Sequence, residues 1–289
     1  MSAYFDISGM VPPLSVPRTH RNTARFGDRA IIYAYLSLWK RTNPDRSLVL
    51  LEDKYGVNVE SYARLTKWIA EELKAEYRLV EEEVLTPDLS CSLPLNTDSL
   101  WARWKAIRHE LAQPLTPRLE AAAQQRSADM LKRWNLKPGQ YVTLHPMLKT
   151  GYNHWRERSI SYWEALVEQL GRVAPVVVVG GDDCGSLSPP RAGVYHAFKE
   201  SLDVVESVAL VAQSAVHVGG ETGLTFWATL LRTPTVALYG QQGYEYLPIG
   251  FGSPLVIVAE QSKVPAIQGL VRDLSKDLFS PLVQAKRAK

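Results

Sequence analysis

Residues 216–240 read VHVGGETGLTFWATLLRTPTVALYG, and this stretch decides the fold. Val216, His217 and Val218 form a short β-prone run. Gly219, Gly220 and Gly223 free the backbone after it, and the apolar residues 224–231 have helical content that stops before Pro234. A second β-prone run, 235–239, follows at once. Strand, glycine turn, helix and strand in direct succession define one unit of a doubly wound parallel sheet. The helix begins beside a flexible turn, so its unpaired N–H groups and positive dipole end face the carboxyl edge of the sheet. That is a docking place for a nucleotide diphosphate. An ordinary strand-to-helix turn has the same spacing, and the spacing alone does not separate the two.

The pattern continues on both sides. Strands are expected at 4–7, 48–51, 141–145, 176–179, 216–218 and 235–239. Helices are expected at 30–39, 62–73, 101–111, 117–134, 161–170 and 202–213, with Leu65, Trp68, Ile69 and Leu73 on one face of the second. Ser159 or Ser161 is placed to cap the helix near 161. Lys137-Pro138-Gly139 ends the helix before it and marks the expected join. The reading is an amino domain over 1–136 and a carboxyl domain over 137–289, whose terminal helix returns to the first. At 289 residues the chain has the length for two such domains.

Composition narrows the class. Hydrophobic residues make up 46% and charged residues 22%, which fits a packed globular protein rather than a disordered one. No run approaches the ~20 apolar residues of a membrane span, and the amino end has no signal-peptide pattern, so a cytoplasmic protein is expected. Cys91 and Cys184 are isolated, which speaks against a disulfide framework or a zinc ribbon. A net charge of +3 is too mild to point to nucleic acid. There is no P-loop and no Gly-x-Ser-x-Gly elbow. His145, His154, His196 and His217 lack metal-ligand spacing, and His145 and His217 read as satisfied histidines at strand ends.

Glu221-Thr222-Gly223-Leu224-Thr225-Phe226, followed by residues 233–240 (TPTVALYG), resembles the donor-site signature of the ADP-heptose:lipopolysaccharide heptosyltransferase family. The similarity extends to VVVVGGD at 176–182, to the Ser-Leu-led helix from Ser201, and to residues 141–146 with Trp155 and Tyr162-Trp163. It covers about residues 137–258. Arg25-Phe26-Gly27-Asp28 is similar, more weakly, to the Gly-Asp start of the same family.

The resemblance implies a GT-B architecture: two Rossmann-like domains facing each other across a cleft, with the amino domain shortened. It implies an inverting, metal-independent glycosyltransferase that uses a nucleotide sugar as co-substrate, with no cofactor. Gly220, Glu221, Thr222, Gly223, Leu224 and Lys149 would hold the donor, and Asp28 would be the general base. Arg18, Arg21 and Arg25 form a basic loop suited to an anionic acceptor, such as a lipopolysaccharide core glycan. Two alternatives remain beside this reading: a virus-type enzyme acting on modified bases of DNA, and a non-catalytic nucleotide-sugar-binding module. The chain departs from the family where Glu221 replaces an aspartate, Phe226 replaces a histidine, and Asn153 stands two residues before Trp155 in place of a lysine. Asp28 has a plainer reading too, as the N-cap of the helix expected from Ala30.

Overall fold

The computed structural model describes residues 2–6, 26–54, 59–80, 115, 117–147, 158–181, 184, 186–189, 191–238, 255–258, 264 and 266–273. The chain divides into two compact units, Met1–Arg118 and Leu119–Lys289.

In the first unit, strands β1 (Ser2–Asp6), β2 (Ser47–Asp53) and β3 (Glu76–Val80) form a parallel sheet in the order β1-β2-β3. Helices α1 (Phe26–Thr42) and α2 (Val59–Glu72) connect them. The apolar run of β2 is expected of a strand covered on both faces, and Leu48, Val49, Leu50 and Leu51 are all buried. The face of α2 predicted from periodicity is the buried one: Leu65, Trp68, Ile69 and, just past its end, Leu73 all lie inside. Trp68 donates its indole N–H to the carbonyl of Arg118 at 2.7 Å, which satisfies the polar atom of a buried ring.

The start of α1 corrects the sequence reading. The helix begins at Phe26, so Asp28 lies inside the first turn and is not an N-cap; its carboxylate belongs to the dipole's positive end and is 7% exposed. Arg29, the next residue, is not a solvated surface charge. It is wholly buried, donates to Glu52 at 2.5 Å and to Thr66, and lies over the ring of Tyr62. The Tyr77 hydroxyl donates to the other Glu52 oxygen at 2.8 Å. Burial and the neighbouring Glu52 carboxylate push the Tyr77 phenol up, so that it remains a donor.

The second unit begins earlier than the expected 136/137 boundary. Helix α3 (Ala121–Arg133) belongs to it. Arg133 pairs with Glu200 at 2.7 Å, and Gln213 donates to Ser127 at 3.0 Å, so this helix is held by the carboxyl sheet's own connections. The remaining elements are β4 (Val142–His145), α4 (Ile160–Gly171), β5 (Val176–Val178), β6 (Val194–His196), α5 (Val204–Ala212), β7 (Val216–Gly220), α6 (Gly223–Leu230), β8 (Thr235–Leu238) and β9 (Leu255–Val258). A helical segment at 266–273 follows, and the return of the terminal helix expected beyond it lies outside the described residues.

All six strands are parallel, in the order β6-β5-β4-β7-β8-β9. Counted within the unit this is 3-2-1-4-5-6, the Rossmann order. One face is a hydrocarbon core: Val142, Leu144, Val176, Val178, Val216, Val218, Val236 and Leu238 pack with Trp163, Leu166 and Leu170 of α4 and with Ile267 and Val271. Helix ends follow local chemistry. Ser159 caps α4 by accepting the Tyr162 N–H at 3.2 Å, and Asp203 and Glu206 form a reciprocal capping box on α5.

Breaking a buried ion pair from one side leaves an uncompensated charge. Arg29→Met is expected to destabilise the first unit by about 3–5 kcal/mol, and Arg29→Met combined with Glu52→Leu to recover at least half of that. Urea unfolding curves of the two variants provide the comparison, and a double variant no better than the single one would contradict it.

Candidate functional site

The strand order reverses between β4 and β7. Crossovers from β4 and from β7 leave in opposite directions there, so the carboxyl ends of these two strands border a crevice. His145 closes β4 directly opposite Gly219 in the pairing register. Gly220 ends β7, Glu221 and Thr222 form the turn, and α6 begins at Gly223. Residues 220–224 therefore stand together at the switch point of the sheet, where a ligand of an open parallel sheet docks.

Thr222 holds the N-cap position with an extended backbone (φ −133°, ψ 162°), yet its hydroxyl does not cap the helix. The hydroxyl meets His145 Nδ1 at 2.8 Å instead and lies 3.3 Å from the hydroxyl of Thr225. Thr225 in turn donates to the Gly220 carbonyl at 2.6 Å. Threonine at this place would ordinarily satisfy an N–H of the first turn. Diverting it ties the turn to β4 and leaves the helix start without a side-chain cap, the arrangement that receives an anion.

A buried polar chain stands behind the turn. Ser214 donates to the carbonyl of Val211 at 2.8 Å, so it accepts from Thr143 at 3.0 Å. With its proton spent there, Thr143 accepts from His217 Nδ1–H at 3.1 Å. Burial first, and the neighbouring His145 second, push the His217 imidazole down to about 3, so the ring is neutral at physiological pH. Its Nε2 lone pair faces Gly219 and has no partner among the described residues. A Cβ on Gly219 would sit 2.8 Å from both His217 Nε2 and Thr225 Oγ1. Gly220 is roomier, its nearest contacts being Met147 Cβ at 3.6 Å and the Leu238 carbonyl at 3.9 Å.

The structure brings together Gly220, Glu221, Thr222, Gly223 and Leu224, and adds His145, which the sequence reading took as a satisfied histidine at a strand end, and Thr225, which it quoted in the signature without a role. The missing signal was the neighbourhood of β4 and β7, which follows from strand order and not from any local pattern. Glu221 and Thr222 are buried, and so is Leu224, whose backbone N–H rather than its side chain is available to the turn. Phe226, at the position of the family's histidine, is buried in α6. Asp28 lies in the other unit, in the first turn of α1. Lys149 and the arginines Arg18, Arg21 and Arg25 lie outside the described residues. A cavity of about 300 Å³ beside α4 is lined by Glu164, Ser188, Arg191 and His196 among others, and by none of the turn residues. No group of three or more His, Cys, Asp or Glu among the described residues is placed to hold a metal ion, and no described helix is long and apolar enough to cross a membrane.

Solved structures share this architecture. E. coli ADP-heptose lps heptosyltransferase II aligns over 96% of this chain and 99% of its own, with TM-score 0.55 and 11% identity. E. coli heptosyltransferase WaaC, solved with ADP, aligns over 95% and 100%, with TM-score 0.55 and 12% identity. A glycosyl transferase family 9 structure from Veillonella parvula aligns over 81% and 83%, with TM-score 0.53 and 10% identity. The fold is that of the GT-B heptosyltransferases. No protein-family model matches the sequence, and no curated protein matches it. The heptosyltransferase resemblance read from residues 216–240 thus agrees with the fold, whereas overall identity is low enough that only motifs carry it.

The two glycines separate packing from ligand chemistry. Gly219→Ala must displace His217 or Thr225 and is expected to cost about 1–3 kcal/mol, whereas Gly220→Ala should cost less than about 0.5 kcal/mol. Equal melting temperatures for the two variants would refute this account of the turn.

Proposed function

We propose that this chain is an inverting, metal-independent glycosyltransferase that moves a sugar from a nucleotide diphosphate sugar to the hydroxyl of an anionic acceptor, such as a core glycan of lipopolysaccharide. The observation that carries the reading is the helix start at the switch point, whose own N-cap hydroxyl is turned away to His145. Its N–H groups stabilise a diphosphate and, in the transition state, the charge that grows on the leaving group. A solved relative binds ADP, and another structure of the same enzyme holds ADP-2-deoxy-2-fluoro heptose, which supports a nucleotide sugar as the donor class.

In this mechanism the second unit binds the donor. Backbone N–H groups from Gly220 to Leu224 receive the diphosphate, Lys149 adds a positive charge, and Glu221 accepts hydrogen bonds from sugar hydroxyls. The first unit binds the acceptor through Arg18, Arg21 and Arg25. Asp28 takes the proton of the acceptor hydroxyl as that oxygen attacks the anomeric carbon from the face opposite the departing diphosphate, which inverts the centre. Asp28 stands in the first turn of α1, at the helix end whose dipole favours a negative charge. The protein acts on the cytoplasmic side, where nucleotide sugars are made.

One observation favours the alternative of a non-catalytic nucleotide-sugar-binding module. Phe226 buries a hydrocarbon ring where the family has an imidazole, and a site without that group retains the anion cradle.

A panel of ADP, UDP, GDP and their sugar conjugates is expected to contain a member that raises the melting temperature, since ligand at 100 times its Kd stabilises by about 2.7 kcal/mol. EDTA should leave that shift unchanged. A panel without any stabilising member would sink the donor-site reading.

Asp28→Asn keeps shape and removes the basic oxygen. Turnover should fall by roughly 10²-fold or more with donor affinity intact. Transfer at the parental rate would place the base elsewhere, and binding without transfer by the parental protein would favour the binding module.

A further inference from the structure

His145 joins the end of β4 to the donor turn, and the surroundings are shaped around its ring. Gly180, at φ +146°, has no Cβ; one built there would lie 3.0 Å from His145 Cδ2 and 3.2 Å from Nε2. The same Cβ would lie 2.5 Å from Cys184 Sγ, so a side chain at 180 would displace the Cys184 thiol first and crowd the imidazole as well. The ring is half-buried, so bulk water remains within reach of a titrating group.

The hydroxyls beside it admit two directions for the hydrogen bond at His145 Nδ1. Thr225 spends its proton on the Gly220 carbonyl at 2.6 Å, so its oxygen only accepts from Thr222. With a neutral imidazole, the Thr222 hydroxyl donates to His145 Nδ1 across 2.8 Å. With an imidazolium, Nδ1–H donates to Thr222 Oγ1, and the Thr222 proton swings to Thr225 across 3.3 Å. Charging the ring thus reverses the direction of the chain without orphaning a donor. The start of α6, at whose N-cap Thr222 stands, turns its positive end toward this turn, and the Glu221 carboxylate stands in the same turn with the opposite charge. Among the described groups nearby, His217 on β7 is held neutral by burial, Cys184 shares the space around Gly180, and Glu221 belongs to the same turn.

We propose that His145 is a further donor-site residue, which takes up a proton from water as a nucleoside diphosphate docks at the turn, so that an imidazolium faces the diphosphate. This rests on the donor-site reading of residues 220–224. A diphosphate at the helix start adds negative charge beside the ring, and that charge favours the imidazolium over the neutral imidazole. Affinity for the donor then rises as pH falls through the histidine range.

ADP-glucose is the probe, because its two phosphates carry no proton to lose near neutrality. Calorimetric titration of the full chain in buffers of different ionisation enthalpy, between pH 6.5 and 8.5, reads the protons taken up. For the parental protein we expect uptake approaching about one proton per ADP-glucose, and a Kd about tenfold weaker at the alkaline end. His145→Asn retains a hydrogen-bonding nitrogen near Nδ1 and cannot charge; its uptake should vanish and its Kd should be flat with pH. His145→Gln, with its amide near Nε2, serves if the asparagine variant melts early, and should also give a flat profile. Parental binding with no proton uptake, or uptake unchanged in both variants, overturns the proposal while leaving the donor site standing. Absence of ADP-glucose binding by the parental protein at every pH overturns an adenine-nucleotide donor site and this proposal with it.

Discussion

The pairing of β4 with β7 is the constraint on which the second unit depends. Four residue pairs, from Val142 with Val216 to His145 with Gly219, bring together two strands separated by more than seventy residues of chain. That adjacency makes the switch point, and it also explains why polar side chains are tolerated in the middle of a buried sheet. Thr143 and His217 are wholly buried there, where an unpaired hydroxyl would cost a few kcal/mol. Thr143 accepts the His217 Nδ1–H across the pair and passes the chain on to Ser214 and a carbonyl of α5, while His217 Nε2 has no partner among the described residues. A slip of one residue between β4 and β7 would break all of these contacts at once. The polar chain is thus a register device as much as a stabilising one.

The first unit solves a related problem with charge. Arg29 and Glu52 are both wholly buried, and the desolvation of two ions offsets much of their attraction. Their value is geometric. The guanidinium reaches β2 and α2 from the first turn of α1, while Tyr77 of β3 holds the second Glu52 oxygen. One cluster therefore ties two helices and two strands at the turn that carries Asp28, and a carboxylate proposed to remove a proton benefits from a backbone with few alternatives.

Much of this was legible in the sequence where periodicity and turn chemistry agreed. The strands at 141–145, 216–218 and 235–239 and the helices near 62–73, 161–170 and 202–213 read clearly because each combines apolar period with a cap or breaker. Strand β3 escaped because Glu76, Arg78 and Leu79 are exposed on a sheet edge and dilute the apolar signal. Strands β6 and β9 are only three and four residues long, too short for a period to be seen. The helix at 26 began four residues before the reading from Ala30, since Gly27 and Asp28 look like a turn when their tertiary contacts are unknown. Within the candidate site, the turn and helix start at residues 220–224 were legible because glycines and a helix start are local. His145 was not, because its meaning depends on lying beside Thr222, seventy-seven residues away.

Two of the three departures from the heptosyltransferase signature, Glu221 and Phe226, fall at this turn and the helix after it, and the third, Asn153, lies outside the described residues. The features proposed to receive a diphosphate, namely backbone freedom at Gly220 and Gly223, the helix start and the hydroxyl at 222, are retained, and the turn is held by hydrogen bonds. The changed positions are the two that offer side chains beyond it: a longer carboxylate at Glu221 and a hydrocarbon ring at Phe226. Phe226 is buried and can neither donate nor accept, so any polar recognition that an imidazole would supply from this helix position is gone. A buried polar group discriminates strongly against a ligand that leaves it unpaired, whereas a phenyl ring discriminates only by volume. The physical expectation is therefore a site that keeps the diphosphate and relaxes or redirects the choice of sugar, with Glu221 as the remaining side chain of this turn able to select hydroxyl geometry.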